Sequence, residues 1–235
     1  MKFEPTLIET KLVKRYKRFL ADVEMPDGEV ITVHCANPGS MLGLTEPGIR
    51  AWISDSQNPK RKLQYSLEMV EVGGVMVGIN TSHPNRLAKE AIEAGRIPEL
   101  TGYDTLRTEV KYGKNSRIDI LLQSDGKPDT YVEIKNVHFV RTPGIHEFPD
   151  SVTARGAKHL DEMANEVARG NRAVMLYVIQ RSDGDQFKFA EDLDPNYCAA
   201  FKRAHTAGVE AFAIRCNVSS QSIDAVDLIA IENPT

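Results

Sequence analysis

The stretch Ser116-Arg117-Ile118-Asp119-Ile120-Leu121-Leu122, a turn through Asp125-Gly126-Lys127-Pro128, and then Tyr131-Val132-Glu133-Ile134-Lys135 reads as two strands of a hairpin. Both strands are apolar enough to be buried, yet each brings charge into that setting. Side chains alternate across a strand, so Glu133 and Lys135 project from one face while Ile134 takes the other. Asp119, on the neighbouring strand, can lie beside them. Two carboxylates so placed suit a hard cation, Mg²⁺ or Mn²⁺, which prefers oxygen ligands and keeps waters for a phosphate. Such a cation polarises a phosphoryl oxygen and lowers the pKa of an attacking water. Lys135 can then orient that water or offset charge on the phosphate. The competing reading is an ordinary Glu133–Lys135 ion pair on an exposed strand, because this spacing alone is a weak pattern.

Outward from this hairpin the chain alternates helix and strand. Residues 85–94 place Leu87, Ala88, Ala91 and Ile92 on one helical face, and Gly95 ends the helix. Strands are expected at 105–112, 117–123 and 131–140, and a Pro- and Gly-containing loop over 142–149. A helix follows at 152–169, with Val152, Ala157, Leu160, Met163, Ala164 and Val167 as its apolar stripe. Residues 172–180 are a nearly continuous apolar run, the mark of a strand covered on both faces. A helix at 196–207 and a strand at 209–216 complete the series.

Before residue 83 the signals change to short strands and turns. Strands are expected at 15–25, 29–36, 49–54, 62–72 and 75–80, punctuated by Pro26-Asp27-Gly28, Asn37-Pro38-Gly39-Ser40 and Gly73-Gly74. Five short strands without a long helix predict a small barrel. The chain therefore divides into residues 1–82 and 83–235.

The net charge of −4 argues against a protein that coats DNA by overall cationic charge, but the charge is unevenly spread. Among residues 1–82, the basic groups gather in Lys11, Lys14, Arg15, Lys17, Arg18 and in Lys60-Arg61-Lys62. Three widely spaced cysteines fit neither a disulfide framework nor a zinc site, so a reducing cytoplasm is the expected compartment. No apolar run is long enough to span a bilayer, and the N-terminus lacks the layout of a signal peptide.

A helix before the charged hairpin, a helix after it, and charges interrupting otherwise buried strands together resemble the PD-(D/E)xK nuclease fold. In that family the Asp and Glu bind the metal and the Lys serves the attacking water; the matching positions here are Asp119, Glu133 and Lys135. The resemblance extends further. VKRYKRFLAD (13–22), HCANPGSM (34–41), Lys60–Lys62, SRID, VEIK and FPDSVTARGAKHL (148–160) are similar, in order, to the sugar fermentation stimulation protein A family. That likeness implies an OB-fold barrel over residues 1–82, followed by a PD-(D/E)xK nuclease-like α/β domain with a mixed central sheet. It also implies a bacterial DNA-binding protein with a regulatory role in sugar (maltose) metabolism.

Nucleases of this fold often add an acid from the first helix, for which Glu90 and Glu93 are available; Glu109, on the preceding strand, is a third option. Arg155 and His159 lie four apart on one helix and share a face, either toward a phosphate or toward solvent. OB-folds bind single strands with aromatics and cations. Lys14, Arg15, Tyr16, Lys17, Arg18, Lys60, Arg61 and Lys62 are the candidate DNA contacts. Tyr16, Phe19 and Trp52 serve either base stacking or the barrel core. Two functions follow: a DNA-binding protein with a Mg²⁺-dependent phosphodiesterase site, or a non-catalytic DNA-binding transcriptional regulator that keeps the nuclease fold as a scaffold. An RNA substrate fits the same features.

Overall fold

Residues 1–113 and 116–234 are described by the computed structural model. Strands β1 (Ile8–Tyr16), β2 (Leu20–Glu24) and β3 (Val30–Cys35) form an antiparallel meander. On the other side of β1 the sheet continues through β4 (Arg50–Asp55), β5 (Tyr65–Val72) and β6 (Val75–Gly78). Parallel pairing of β3 with β5, His34 opposite Ser66 and Cys35 opposite Leu67, closes β1 to β5 into a barrel. Leu12, Ala21, Val23, Val33, Cys35, Ile53 and Leu67 fill its interior, the inward half of each alternating strand.

The strand expected over 15–25 is a hairpin instead. Lys17 and Arg18 have φ of 49° and 63°, two consecutive left-handed residues that reverse the chain. Turns of this hand match the twist of the flanking strands, at a backbone cost of roughly 1–2 kcal/mol per non-glycine residue. The basic run is thereby divided: Lys14, Arg15 and Tyr16 end a strand, and Lys17 and Arg18 form its turn.

The remainder begins with α1 (Pro84–Glu93), followed by β7 (Thr105–Tyr112), β8 (Ser116–Gln123) and β9 (Thr130–Val137). Next come β10 (Phe139–Thr142), β11 (Gly144–Phe148), α2 (Ala154–Ala168), β12 (Arg172–Ile179), β13 (Gly184–Phe189) and α3 (Pro195–Thr206). β14 (Glu210–Val218) and β15 (Ile223–Glu232) finish a mixed sheet in the order β10-β11-β13-β15-β14-β12-β9-β8-β7. β12 runs parallel to both β9 and β14 and is buried on both faces. Its Val174, Leu176 and Val178 join Leu87, Ala88, Ala91 and Ile92 of α1 in one core. Its Ala173, Met175, Tyr177 and Ile179 meet Leu160 and Met163 of α2 and Tyr197 and Phe201 of α3 in another. Thr153 caps α2 by accepting the Gly156 N–H at 3.1 Å, and Asp194 caps α3 by accepting that of Tyr197 at 2.9 Å.

The architecture is an OB-like barrel followed by a mixed-sheet α/β domain, as expected. Its outer sheet strands were not expected. Residues 142–149 are not a loop: β11 pairs in parallel with β13, and β13 with β15. Polar His146, Glu147 and Gln186 sit in these strands and hide the apolar alternation that marks a strand in sequence.

Barrel and mixed sheet share a core. Trp52 and Met69 of the barrel pack with Leu87, Ile92 and Leu176, so Trp52, only 3% exposed, is closed to stacking on bases. Gly78 N–H donates to the Gln180 carbonyl at 2.8 Å, and the Ser40 hydroxyl to that of Asp150 at 2.8 Å. Residues 1–3 lie against the second half, with Phe3 N–H donating to Gln221 O at 2.9 Å. Trp52→Ala is expected to lower the unfolding free energy by about 3–5 kcal/mol. Urea unfolding followed by circular dichroism measures it, since Trp52 is the sole tryptophan. A loss under about 1 kcal/mol would contradict a load shared across the two halves.

Candidate active site

β8 and β9 pair only from Leu122 opposite Thr130 to Ile120 opposite Val132. Beyond that point the two strands fork, and the Asp119 carboxylate takes the place of a ladder partner. Its Oδ2 accepts the Ile134 N–H at 2.7 Å, while Oδ1 accepts from the Asn85 side chain of α1 at 2.9 Å. Ile134 belongs to the core beneath α1, so its neighbours Glu133 and Lys135 emerge on the α2 side. Lys135 Nζ donates to Glu133 Oε1 at 2.7 Å. The same oxygen receives Nδ1–H of His159 from α2. Arg155 Nε donates to His159 Nε2 at 3.3 Å, which makes Nε2 the acceptor and leaves the ring proton on Nδ1.

The two carboxylates lie close enough to perturb each other. Asp119 is pushed up to about 6, by burial first and by the nearby Glu133 carboxylate second, against the pull of the Ile134 and Asn85 donors. Burial also pushes Glu133 up, but the His159 hydrogen bond and the Lys135 charge outweigh it and hold Glu133 below its usual range. Glu133 Oε2 is buried and has no hydrogen-bond partner among the described residues. A buried carboxylate oxygen left bare is costly, and a cation held by Glu133 and Asp119 would satisfy it. The pair of oxygens thus fits a hard divalent ion that keeps most of its waters. Among the described residues no three His, Cys, Asp or Glu side chains gather as a complete ligand set.

A cleft of about 420 Å³ opens over this cluster, lined by Glu109, Arg117, Asp119, Glu133, Lys135 and Arg155 among others. Glu109 stands across the ladder from Asp119 with φ of 55°, and its carboxylate is 3.4 Å from Asn85 Nδ2. The structure does not bring the two helix acids here. Glu90 binds Arg86 and the Met1 ammonium, and Glu93 binds Lys89. Asn85 and the Ile134 amide were missed in sequence. Asn85's position in the first turn of α1, directly after Pro84, was the available signal.

The basic residues of the barrel divide by role. The Arg15 guanidinium donates to the carbonyls of Arg18, Asn37 and Gly39 at 3.0, 2.7 and 2.9 Å and ties the turn to the loop. Tyr16 hydroxyl donates to Asp22 at 3.0 Å, and Lys14 pairs with the same carboxylate at 3.3 Å. Lys17, Arg18 and Phe19 are exposed at the hairpin tip. Lys60, Arg61 and Lys62 are exposed on the barrel, with Arg61 donating to the Ser66 hydroxyl at 3.0 Å.

Comparison with known proteins adds a family. The sugar fermentation stimulation protein RE domain matches residues 82–222, and the SfsA N-terminal OB domain matches residues 13–79. The sugar fermentation stimulation protein homologs of Brucella ovis and Brucella melitensis are 55% identical over 233 residues, covering 99% of this chain and 98% of theirs. Pyrococcus furiosus SfsA, solved in complex with Ca²⁺, superposes with a TM-score of 0.88 at 25% identity over 99% of this chain and 98% of its own.

The raised Asp119 carboxyl links the site to stability. Its native pKa of about 6 exceeds the usual 3.8, so the folded state holds its proton more tightly. Stability from this group is then full below about pH 4 and is lost as pH rises through about 6. In chelator, Asp119→Asn is expected to melt several degrees above wild type at pH 8, with the gain vanishing below pH 4. Thermal melts across that range test it; a gain independent of pH would contradict the assignment.

Proposed function

The chain belongs to the sugar fermentation stimulation protein family, and from that membership and the geometry of the cleft we propose a nucleic-acid-binding phosphodiesterase that depends on a divalent cation. The observation that carries the reading is the buried, partnerless Glu133 Oε2 beside the raised Asp119 carboxyl. Mg²⁺ or Mn²⁺ held by Asp119 and Glu133 would polarise a bound phosphate and acidify a water. The Ca²⁺ complex of Pyrococcus furiosus SfsA supports divalent binding in this fold.

The chain's own groups supply the rest. Lys135 holds its ammonium at the cleft, 2.7 Å from Glu133, where it can orient a water or offset charge gathering on a phosphate oxygen. His159 fixes Glu133 through Nδ1–H, and Arg155 fixes His159 in that tautomer while offering exposed guanidinium nitrogens to a phosphate. Glu109 is the third acid within reach of the cleft. Exposed Lys17, Arg18, Lys60 and Lys62 would attract the DNA backbone, with affinity that falls steeply as salt rises.

The incomplete acid set favours a second reading, a DNA-binding regulator without catalysis. Incubating the purified chain with single-stranded, duplex and branched DNA in Mg²⁺ or Mn²⁺ separates the two. Cleavage is expected, and Asp119→Ala, Glu133→Gln and Lys135→Ala are each expected to slow it by about 100-fold or more with folding intact by circular dichroism. Salt-sensitive binding without cleavage, indifferent to Asp119→Ala, would select the regulator.

A further inference from the structure

A second, larger cleft lies beside the Asp119 site. It measures about 620 Å³ and opens between the barrel's hairpin and 37–40 loop and residues 148–153. The two clefts adjoin, with Thr153 in the wall of both.

The floor of this cleft holds a polar group with no partner. His138 is only 5% exposed. Its Nδ1 lies 2.9 Å from the Asn136 side-chain nitrogen, which donates to it, so the ring proton sits on Nε2. Among the described residues that N–H donor has no hydrogen-bond partner. The nearest carboxylate oxygen, Asp150 Oδ2, is 3.6 Å away and already receives the Ser40 hydroxyl and the Met41 N–H, both at 3.2 Å. Asp150 stays ionised: burial pushes it up, but His138, Met41 and Ser40 outweigh this and hold it at about 2. Its Oδ1 meets only the exposed Ser151 hydroxyl, at 3.3 Å.

A free N–H donor and a carboxylate acceptor thus stand side by side. A phosphate would meet Asp150 as a like charge, and a metal would meet a protonated ring nitrogen. A nucleobase edge, with a carbonyl or ring-nitrogen acceptor next to an N–H donor, complements both groups. Pro38, Phe148, Pro149 and Val152 supply apolar wall, and Val152 is 72% exposed. Base stacking on such surface tolerates any base. Arg18, exposed and lining the same cleft, is placed to meet the backbone phosphate.

We propose that this cleft receives an unpaired nucleobase of the strand whose phosphate lies at Asp119 and Glu133. The proposal rests on the nucleic-acid reading above and narrows it. A base inside a duplex cannot enter, so the preferred substrate carries a single-stranded or extruded nucleotide next to the scissile phosphate.

Fluorescence anisotropy in EDTA, with the full chain and labelled oligonucleotides, tests binding apart from cleavage. The probes are a duplex with a one-guanine bulge, the same duplex with an abasic bulge, and the fully paired duplex. The guanine bulge is expected to bind at least tenfold tighter than the other two. Ser151→Trp, which fills the cleft from an exposed position, and His138→Phe, which removes the donor, are expected to abolish that preference. Paired-duplex affinity of Ser151→Trp should stay unchanged. Equal binding of guanine and abasic bulges, a preference that survives Ser151→Trp, or no nucleic-acid binding would each overturn the proposal. A guanine preference without Mg²⁺-dependent cleavage by wild type leaves this site standing and removes the phosphodiesterase; cleavage without the preference does the reverse.

Discussion

The side chains of β12 alternate between two separate cores, and this two-faced burial governs what the other elements can do. Val174, Leu176 and Val178 need a cover on one side, which α1 provides; Met175, Tyr177 and Ile179 need one on the other, which α2 and α3 provide. Parallel neighbours on both flanks, β9 and β14, follow from the crossover helices that this covering requires. Because β9 lies beside β12 in register, Met175 opposite Glu133 and Tyr177 opposite Lys135, the charged residues have a single face open to them. It is the face under α2, and His159 of α2 is already there.

The site is built where that regular sheet gives way. β8 and β9 separate after Ile120 and Val132, and the Asp119 carboxylate accepts the amide that a strand carbonyl would otherwise take. Several unfavourable features gather at this fork. Two carboxylates share a buried space, one oxygen is bare, and Glu109 across the ladder holds a left-handed backbone. Local strain and unmet polar groups of this kind cluster at functional sites, because a ligand can relieve them. His138 repeats the pattern a short distance away, where barrel and mixed sheet meet.

The barrel is fastened to the mixed sheet by side-chain and backbone contacts between residues far apart in the chain. Trp52 enters the α1 core, Gly78 donates to Gln180, and Ser40 reaches Asp150. Gly39 has no room for a side chain: a Cβ there would stand 2.7 Å from Asp150 Oδ2. Arg15 braces the barrel's side of this joint, donating to the carbonyls of Arg18, Asn37, Gly39 and Ser40. The cleft beside Asp119 thus has one wall from each half of the chain, and the exposed Arg18 stands on the barrel's wall.

How much could be read beforehand follows from how local each signal is. The two-residue spacing of Glu133 and Lys135, the apolar run of β12 and the stripes of α1 and α2 are periodicities within one element, so the sequence by itself determined the barrel, the order of the inner elements and the shared face of Glu133 and Lys135. The hairpin at Lys17-Arg18 escaped because its turn has no glycine, and β11, β13 and β15 because their polar residues pair at the sheet's outer strands. Which acids meet was decided only in three dimensions. Glu90 and Glu93 sit on the expected helix yet bind Met1, Arg86 and Lys89, while Asn85 of α1 reaches Asp119 and stands 3.4 Å from Glu109 of β7. The bare oxygen of Glu133 and the bare nitrogen of His138 belong to the tertiary structure alone, since whether a polar atom finds a partner depends on every element packed around it.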